Sequence, residues 1–185
     1  MKQEFNSANT SINSKRLPKA FTVVKWEEST INLDLGGGKF DNATEYLKTK
    51  NVSNLIIDPY NRSKDWNESL LNYISKVGGT DTATVLNVLN VIKEYTCRIN
   101  VIQQVYSLIK ENGTCYFQIY EGNGSGIGRE TMPNCWQNNL KTNFYIQEIE
   151  TCFQIEKIKG NIIVAKKKGS LKNESSNSKG IYHSK

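Results

Sequence analysis

The sequence is poor in the residues on which many catalytic sites depend. Its one histidine is His183, near the carboxyl end. A single histidine argues against a histidine-rich metal site and against a Ser-His-Asp triad. The four cysteines form no CxxC pair and match no zinc-ligand spacing, so we expect reduced side chains packed as small hydrophobes, and no metal site. These cysteines are Cys97, Cys115, Cys135 and Cys152.

Long apolar segments are also missing. No apolar run of about 18 residues occurs, so the sequence predicts no membrane-spanning helix and no membrane partner. Residues 1–10 are polar and lack the apolar stretch of a secretory signal peptide. We therefore expect a cytoplasmic protein, and its 185 residues are a length typical of one domain.

Positive charge is concentrated at the carboxyl end. The formal net charge is +6, and the stretch from Lys157 to Lys185 holds eight lysines against one acidic residue, Glu174. The rest of the chain is close to neutral, so composition favours a solubilising tail over a nucleic-acid surface. We divide the chain into an N-terminal arm at 1–27, placed to cover a substrate, a folded domain at 28–168 and a disordered basic tail at 169–185.

Strand and helix signals alternate between the arm and the tail. Short apolar or β-branched runs predict strands, and apolar residues three and four apart predict helices. The predicted strands are 30–35, 53–58, 82–88, 114–120, 153–158 and 161–167, and the predicted helices are 42–49, 65–76, 95–111 and 134–149. Such alternation is typical of βαβ units. The sequence therefore predicts an α/β fold with a mainly parallel sheet, helices on both faces and a C-terminal antiparallel hairpin.

A glycine cluster follows the first predicted strand. Asp34 and Leu35 lead into Gly36, Gly37 and Gly38, and a predicted helix comes next. Glycines at such a junction let the backbone turn sharply and approach a ligand without a Cβ clash. The position between strand and helix favours a nucleotide-like ligand over an ordinary turn.

An acidic residue ends the second predicted strand. Asp58 lies roughly 20 residues after the glycines, the spacing at which a carboxylate accepts hydrogen bonds from a ribose diol. Asp58-Pro59 is also a turn-forming pair. Together with the glycine cluster, the pattern favours ribose binding.

Polar residues follow the next predicted strand as well. Asn87 falls near the carboxyl end of that strand, and Asn90 lies just beyond it. Ligands of open α/β sheets bind outside the carboxyl ends of the strands. Both asparagines are therefore candidates for hydrogen bonds to a cofactor or substrate, with helix-capping or turn roles as the alternative.

Taken in order, these segments make the chain resemble the class I S-adenosylmethionine-dependent methyltransferases. LDLGGGKF is similar to the family's first motif, in which an acidic residue precedes a GxGxG loop, and LIIDPY is similar to the second. VLNVLNVI is similar to the fourth-strand motif, and LIKENGTCYFQIYEG to the helix, turn and fifth strand. The resemblance covers about residues 28–168, and in style it is nearest to small methyltransferases of bacteria, phages and mobile elements.

The resemblance implies a Rossmann-like methyltransferase fold, with S-adenosylmethionine as cofactor and S-adenosylhomocysteine as product. The cofactor-binding residues that it implies are Asp34, Leu35, Gly36, Gly37, Gly38, Asp58, Pro59, Tyr60, Asn87 and Val88. One unit departs from the family. Its third strand and helix, which carry an acid that meets the adenine amine, are shortened here or merged into Val77–Asp81, which leaves Asp81 as a candidate for that contact.

Two other classes of nucleotide-binding site also depend on a glycine-rich loop after a strand. A dinucleotide site needs a GxGxxG loop, but its last glycine position holds Asp41 here, whose charge opposes a diphosphate. A P-loop is excluded because no GxxxxGK(S/T) segment occurs.

The acceptor of the methyl group is constrained mainly by what is missing. The Pro-Pro of amino-DNA methyltransferases and the Pro-Cys of cytosine-C5 enzymes do not occur, so a small molecule or a protein side chain is favoured over duplex DNA. The glycine-rich segment 121–137 leaves the fifth predicted strand and is expected to form a lid over the substrate. Candidates for acceptor contact or catalysis are Tyr120, Glu121, Arg129, Trp136 and Gln137.

Two alternatives to an enzyme stay open at this point. The chain could bind the cofactor without turnover, as a sensor, a decoy or a subunit of a modification complex. It could instead be a nucleic-acid methyltransferase or a binding module that uses its basic tail. The sequence predicts neither an oligomeric state nor a particular acceptor.

Overall fold

A computed structural model describes residues 3–11 and 16–169. These residues form five α-helices: α1 (Lys19–Val23), α2 (Asn42–Lys48), α3 (Lys64–Lys76), α4 (Tyr95–Leu108) and α5 (Ile146–Ile149). The strands are β1 (Ile31–Leu35), β2 (Ser53–Ile57), β3 (Thr80–Leu86), β4 (Ile109–Gln118), β5 (Arg129–Met132), β6 (Cys135–Gln137), β7 (Phe153–Lys159) and β8 (Ile162–Lys167). Three 3-10 turns are Ala8–Ser11, Leu89–Val91 and Thr142–Tyr145.

Six strands form one sheet in the order β2-β1-β3-β4-β8-β7. β2, β1, β3 and β4 run parallel, whereas β8 pairs antiparallel with β4 and with β7. The mainly parallel sheet and the antiparallel C-terminal hairpin are therefore confirmed. The parallel order places the carboxyl ends of β2, β1, β3 and β4 along one edge of the sheet.

Helices cover both faces of the sheet, as the alternation predicts. On one face, Ile74 of α3 and Ile102 of α4 pack with Leu33, Val85 and other strand residues. On the other face, Phe21 of α1 and Leu47 of α2 form a smaller core. Strands buried on both faces need nearly continuous apolar sequence, which accounts for the short apolar runs seen in the sequence.

The strand that the family places beyond β2 does not occur among the described residues. Helix α3 returns to β3 through Val77, Gly78 and Gly79, and both glycines have positive φ, 75° and 105°. β2 is consequently an edge strand. The indole N–H of Trp66 in α3 donates to the Ile56 carbonyl at 2.9 Å, which satisfies one acceptor of that edge.

One predicted boundary and one predicted helix are wrong. The helix predicted for 95–111 ends at Leu108, and β4 begins at Ile109, whose side chain is buried in the core and which pairs with Thr80. The helix predicted for 134–149 is replaced by β6, a 3-10 turn and the short α5. Asn134 and Asn139 adopt φ of 62° and 55°, and left-handed residues at these positions interrupt any continuous helix.

Candidate functional site

The glycine segment forms a tight loop at the carboxyl end of β1. Gly36 has φ of 77°, and its N–H donates to the Ile57 carbonyl at 2.7 Å. A Cβ at Gly36 would lie 2.6 Å from Val88 Cγ2, and one at Gly37 would collide with the Asp34 carboxylate. The absence of both side chains therefore lets this backbone lie against its neighbours and border an open cleft.

Asp34 lies beneath this loop and is fully buried. Its Oδ1 accepts a hydrogen bond of 2.9 Å from the Thr84 hydroxyl of β3. Burial raises the pKa of Asp34 to about 7, with a further upward contribution from the charge of Asp58, while the Thr84 hydrogen bond acts in the opposite direction. Asp34 is therefore a carboxyl group that titrates near neutral pH.

Asp58 joins the end of β2 to the glycine loop. Its Oδ2 accepts from Gly38 N–H at 2.9 Å, and its Oδ1 accepts from the N–H groups of Tyr60 and Asn61, each at 2.9 Å. Sequence reasoning interpreted Asp58 as a ribose ligand or a turn residue, and the geometry gives it the turn role directly. Oδ2 accepts only one of these bonds, so it retains capacity for a ligand hydroxyl.

Arg62, which the sequence does not single out, supports the glycine loop from outside the two cavities. Its Nε donates to the Gly38 carbonyl at 2.9 Å, and its Nη2 lies 2.8 Å from Asp41 Oδ1. The guanidinium therefore binds Gly38 and Asp41, the two ends of the segment that leads from the glycines to α2. The sequence offered no more than the position of an arginine four residues after Asp58.

Two adjoining cavities lie at this edge of the sheet. The larger has a volume of about 650 Å³ and the smaller about 120 Å³. They share four lining residues, Thr10, Gly36, Asn87 and Val91. Every one of the ten residues implied to bind the cofactor lines one cavity or both.

These ten residues divide by position. Asp34, Gly37 and Gly38 line the larger cavity, and Gly36 and Asn87 line both. The smaller cavity is also lined by Leu35, Asp58, Pro59, Tyr60 and Val88. The resulting cleft runs from the β2 end, past the glycine loop, to the space beyond β3 and β4.

The residues proposed for the acceptor are only partly brought together. Tyr120, Trp136 and Gln137 line the larger cavity. Glu121 and Arg129 are not among its lining residues. Glu121 instead accepts from the N–H and the hydroxyl of Thr142, at 2.8 and 2.7 Å, and these bonds lower its pKa.

Residues 129–137 of the segment predicted as a lid form a short hairpin, β5–β6, and residues 121–128 lead into it without a regular strand or helix. Gly128 lies against its Trp136, since a Cβ there would collide with the indole ring. Trp136 Nε1 donates to Asn138 Oδ1 at 2.8 Å. Asn138 Nδ2 in turn donates to the carbonyls of Leu89 and Ile92, which connects the hairpin to the 3-10 turn that follows β3.

The N-terminal arm lies across both cavities. Phe5 stacks on Trp136 with ring centroids 5.1 Å apart, and the Tyr60 hydroxyl donates to Gln3 Oε1 at 3.0 Å. Ser7 is buried, and its hydroxyl donates to the Val91 carbonyl at 3.0 Å. Together with Arg16 of the larger cavity, these contacts make the arm part of the site's wall.

Asp81, proposed for the adenine amine, lies at the wrong end of the sheet. It is the second residue of β3, its Oδ2 accepts from the Ile31 N–H at 2.8 Å, and its Oδ1 is 2.7 Å from Lys110 Nζ. These contacts are at the amino ends of the strands, opposite the glycine loop. The proposal for Asp81 is wrong, because its carboxylate lies at the opposite end of the strands from the glycine loop and is bonded there to Ile31 and Lys110.

The described residues include no group of three or more His, Cys, Asp or Glu side chains placed to hold a metal ion. Within the same part of the chain, the four cysteines are free thiols. No described helix is both long and apolar enough to cross a membrane.

The fold is the Rossmann-like fold of the class I S-adenosylmethionine-dependent methyltransferases. The 1,6-didemethyltoxoflavin-N1-methyltransferase of Burkholderia thailandensis, solved with 1,6-didemethyltoxoflavin and S-adenosylhomocysteine bound, is similar with a TM-score of 0.60 and 12% identity, over 77% of this chain and 72% of that one. A methyltransferase of Methanosarcina mazei is similar with a TM-score of 0.55 and 14% identity, over 77% and 94%. No protein-family model and no curated protein matches the sequence.

Proposed function

We propose that this protein is a methyltransferase that uses S-adenosylmethionine and releases S-adenosylhomocysteine. The observation that carries the proposal is the convergence of the ten implied cofactor residues on one continuous cleft. The cleft lies outside the carboxyl ends of parallel strands, where open α/β sheets bind their ligands. The methyltransferase fold supports the same conclusion.

The residues present fit such a cofactor. The loop at Gly36 and Gly37 has no space for side chains, so its backbone is the surface a ligand would meet. Asp58 keeps hydrogen-bonding capacity for a ribose hydroxyl in the smaller cavity, and apolar Val88 and Ile92 lie beside it to cover an adenine ring. Asp34 supplies negative charge near a cationic amino acid moiety when it is ionised.

The chemistry expected of the protein is mainly positional. When bound, the cofactor supplies an electrophilic methyl group on a sulfonium. The chain then has to hold the acceptor in line with that group and exclude water. Trp136, Gln137 and the N-terminal arm border the larger cavity and serve that purpose.

A small molecule is the acceptor class that the cavity favours. About 650 Å³ lies within the range of small-molecule sites, and part of it must house the methionine end of the cofactor. The methyltransferase of B. thailandensis acts on a molecule of that kind. A protein side chain inserted into the cavity is the second acceptor class that the sequence left open.

Calorimetry tests the cofactor assignment. We expect S-adenosylmethionine and S-adenosylhomocysteine to bind with micromolar dissociation constants, about 7–8 kcal/mol of binding free energy. NAD is the comparison ligand and should bind far more weakly. Preference for NAD would contradict the proposed function.

The same titration separates the roles of Asp58. Asp58→Ala should weaken S-adenosylhomocysteine binding by roughly 1–3 kcal/mol, because it removes a charged acceptor and loosens the glycine loop. Asp65→Ala, on the exposed start of α3, is the matched control and should bind normally. Normal binding by Asp58→Ala, with only a lower melting temperature, would leave Asp58 as a turn residue.

A further inference from the structure

A chain of side-chain amides fixes which atoms Asn87 presents to the cleft. The N–H of Ala20 donates to Gln118 Oε1 at 2.8 Å. A backbone N–H can only donate, so the Gln118 atom that it meets must be the oxygen. Gln118 therefore turns its NH2 toward Asn87, whose Oδ1 accepts at 3.3 Å.

The orientation of Gln118 determines which hydrogen-bonding groups of the Asn87 amide remain for a ligand. The Asn87 oxygen is engaged by Gln118, and Nδ2 donates no hydrogen bond to any described residue. Asn87 lines both cavities and is held at φ of 58°, a conformation that asparagine tolerates better than most residues. Asn87 therefore keeps both N–H groups of its NH2 for a ligand, against a single lone pair on its oxygen, so its amide acts mainly as a donor.

A second amide pair is oriented in the same way. The N–H of Tyr120 donates to Asn90 Oδ1 at 3.3 Å, which identifies that atom as oxygen. Asn90 Nδ2 then donates to Gln137 Oε1 at 3.1 Å, and Gln137 Nε2 donates to the Tyr120 carbonyl at 2.9 Å. Each side chain therefore retains an N–H as well as one lone pair of its oxygen, and both line the larger cavity, so both can donate to a ligand there.

The charges around the larger cavity have the matching sign. Arg16 is the cation among its lining residues, and Asp34 is the acid, placed under the glycine loop and bonded to Thr84. Arg16, Asn90 and Gln137, which also line this cavity, carry donors and no carboxylate. Such a lining stabilises a ligand that brings hydrogen-bond acceptors.

We infer that the acceptor is a small oxyanion, such as an aromatic carboxylate or phenolate, bound by the Asn87, Asn90 and Gln137 donors and methylated on oxygen. This inference rests on the proposed function and names its substrate class. Gln118 is then a positioning residue, because it acts on the ligand only through Asn87.

The reaction balances without a base. A lone pair of the deprotonated oxygen forms the new C–O bond, the S–CH3 bond breaks, and its electron pair stays on sulfur. The negative charge of the acceptor and the positive charge of the sulfonium are lost together, and no proton moves. Hydrogen-bond donors stabilise an acceptor oxygen that is already deprotonated. An amine acceptor has a proton to lose, and donors do not help to remove it.

The experiment uses two flat probes of nearly equal shape, benzoate and benzamidine. Benzoate carries acceptors and negative charge, whereas benzamidine carries donors and positive charge. The protein is first titrated with S-adenosylhomocysteine and then, saturated with it, with each probe by calorimetry. We expect benzoate to bind at least about tenfold more tightly than benzamidine, a difference of about 1.4 kcal/mol.

Three variants assign the preference to the amide chain. Gln118→Glu still accepts from Ala20 N–H but cannot donate to Asn87, so it should turn the Asn87 oxygen toward the cleft and weaken benzoate about tenfold, although residue 118 does not line the cavity. Asn87→Asp should have the same effect directly. Asn42→Asp adds an equal charge elsewhere on the cavity wall, and is the matched control. Melting temperatures establish that each variant is folded.

The possible outcomes distinguish a wrong acceptor class from a wrong proposed function. No S-adenosylhomocysteine binding would overturn the proposed function, and this inference with it. Binding of S-adenosylhomocysteine together with no benzoate binding, with equal affinity for the two probes, or with preference for benzamidine would overturn the inference alone. Equal losses in Asn42→Asp and Asn87→Asp, with none in Gln118→Glu, would show that charge and not amide orientation selects the probe.

Discussion

Among the single residues, Asp34 has the most unusual environment. Its carboxyl group is buried, and its pKa rises from an ordinary 3.8 to about 7. The fold therefore favours its protonated form. Because the folded-state pKa lies above the unfolded one, the stability that this group contributes is complete below about pH 4 and is lost as the pH rises through 7.

Replacement of Asp34 by asparagine should remove that dependence. Between pH 5 and pH 8, we expect the free energy of unfolding of the wild type to fall by roughly 1–3 kcal/mol relative to Asp34→Asn. Urea unfolding at a series of pH values measures the difference. Asp65→Asn is the exposed control and should follow the wild type, whereas parallel curves for Asp34→Asn and the wild type would contradict the assigned pKa.

The residues of the candidate site are only partly predictable from the sequence. The residues proposed to bind the cofactor line one cleft because each lies at or just beyond the carboxyl end of a predicted parallel strand, and strand order alone brings those ends together. Arg62 and the amide pairs were not found. Their roles depend on which backbone N–H or carbonyl they meet across the fold, and spacing along the chain carries no such information.

The β5–β6 hairpin and the N-terminal arm together form one wall of the candidate site. Trp136 on the hairpin stacks on Phe5 of the arm, and Lys93 Nζ lies 4.9 Å from the centre of the same indole ring. Ser7 N–H also donates to the Asn134 carbonyl at 2.9 Å. Two segments more than a hundred residues apart in sequence therefore hold each other in place.

Variants of Trp136 and Arg129 test which side of this hairpin contributes to the acceptor site. Trp136→Ala should lower methyl transfer to an identified acceptor at least about tenfold, because it removes the contact between arm and hairpin beside the cavity. Arg129→Ala, on the exposed surface of β5, should change it less than about twofold. S-adenosylhomocysteine affinity, measured in parallel, should stay near the wild-type value in both variants. Full turnover by Trp136→Ala would show that the hairpin is not part of the acceptor site.

The sequence predicted regular elements well and this wall poorly. Predicted strands and helices before residue 95 agree with the structure to within two residues, because their apolar periodicity is strong and glycine or proline marks their ends. Segment 134–149 has helical spacing too, but its backbone is set by tertiary contacts. Asn138 Nδ2, for example, donates to the carbonyls of Leu89 and Ile92 at 3.1 and 2.9 Å.

In the whole molecule, the described chain ends beside the core. The Tyr106 hydroxyl donates to the Lys168 carbonyl at 3.0 Å, and Lys168 Nζ donates to the Glu150 carbonyl at 2.6 Å. The basic tail predicted for 169–185 lies, apart from Gly169, outside the described residues. All described residues that line the two cavities precede it.

Removal of residues 169–185 should therefore leave the site intact. We expect S-adenosylhomocysteine affinity within about twofold of the full chain and a similar melting temperature, because the truncation keeps Lys168 and its contacts. Calorimetry and thermal unfolding measure both quantities. A loss of affinity of tenfold or more would show that the tail contributes to the cleft.

The direct turn from α3 into β3 also bears on how such a fold changes in size. An open parallel sheet grows outward from its centre, so its outermost unit can be absent while the central strands keep their register. Gly78 faces open space, because a Cβ at this position would meet no described atom within 4 Å, and it lies at the end of the sheet opposite the glycine loop. The turn at Val77–Gly79 thus lets a strand–helix pair be absent while the glycine loop at the opposite end of the strands keeps its place.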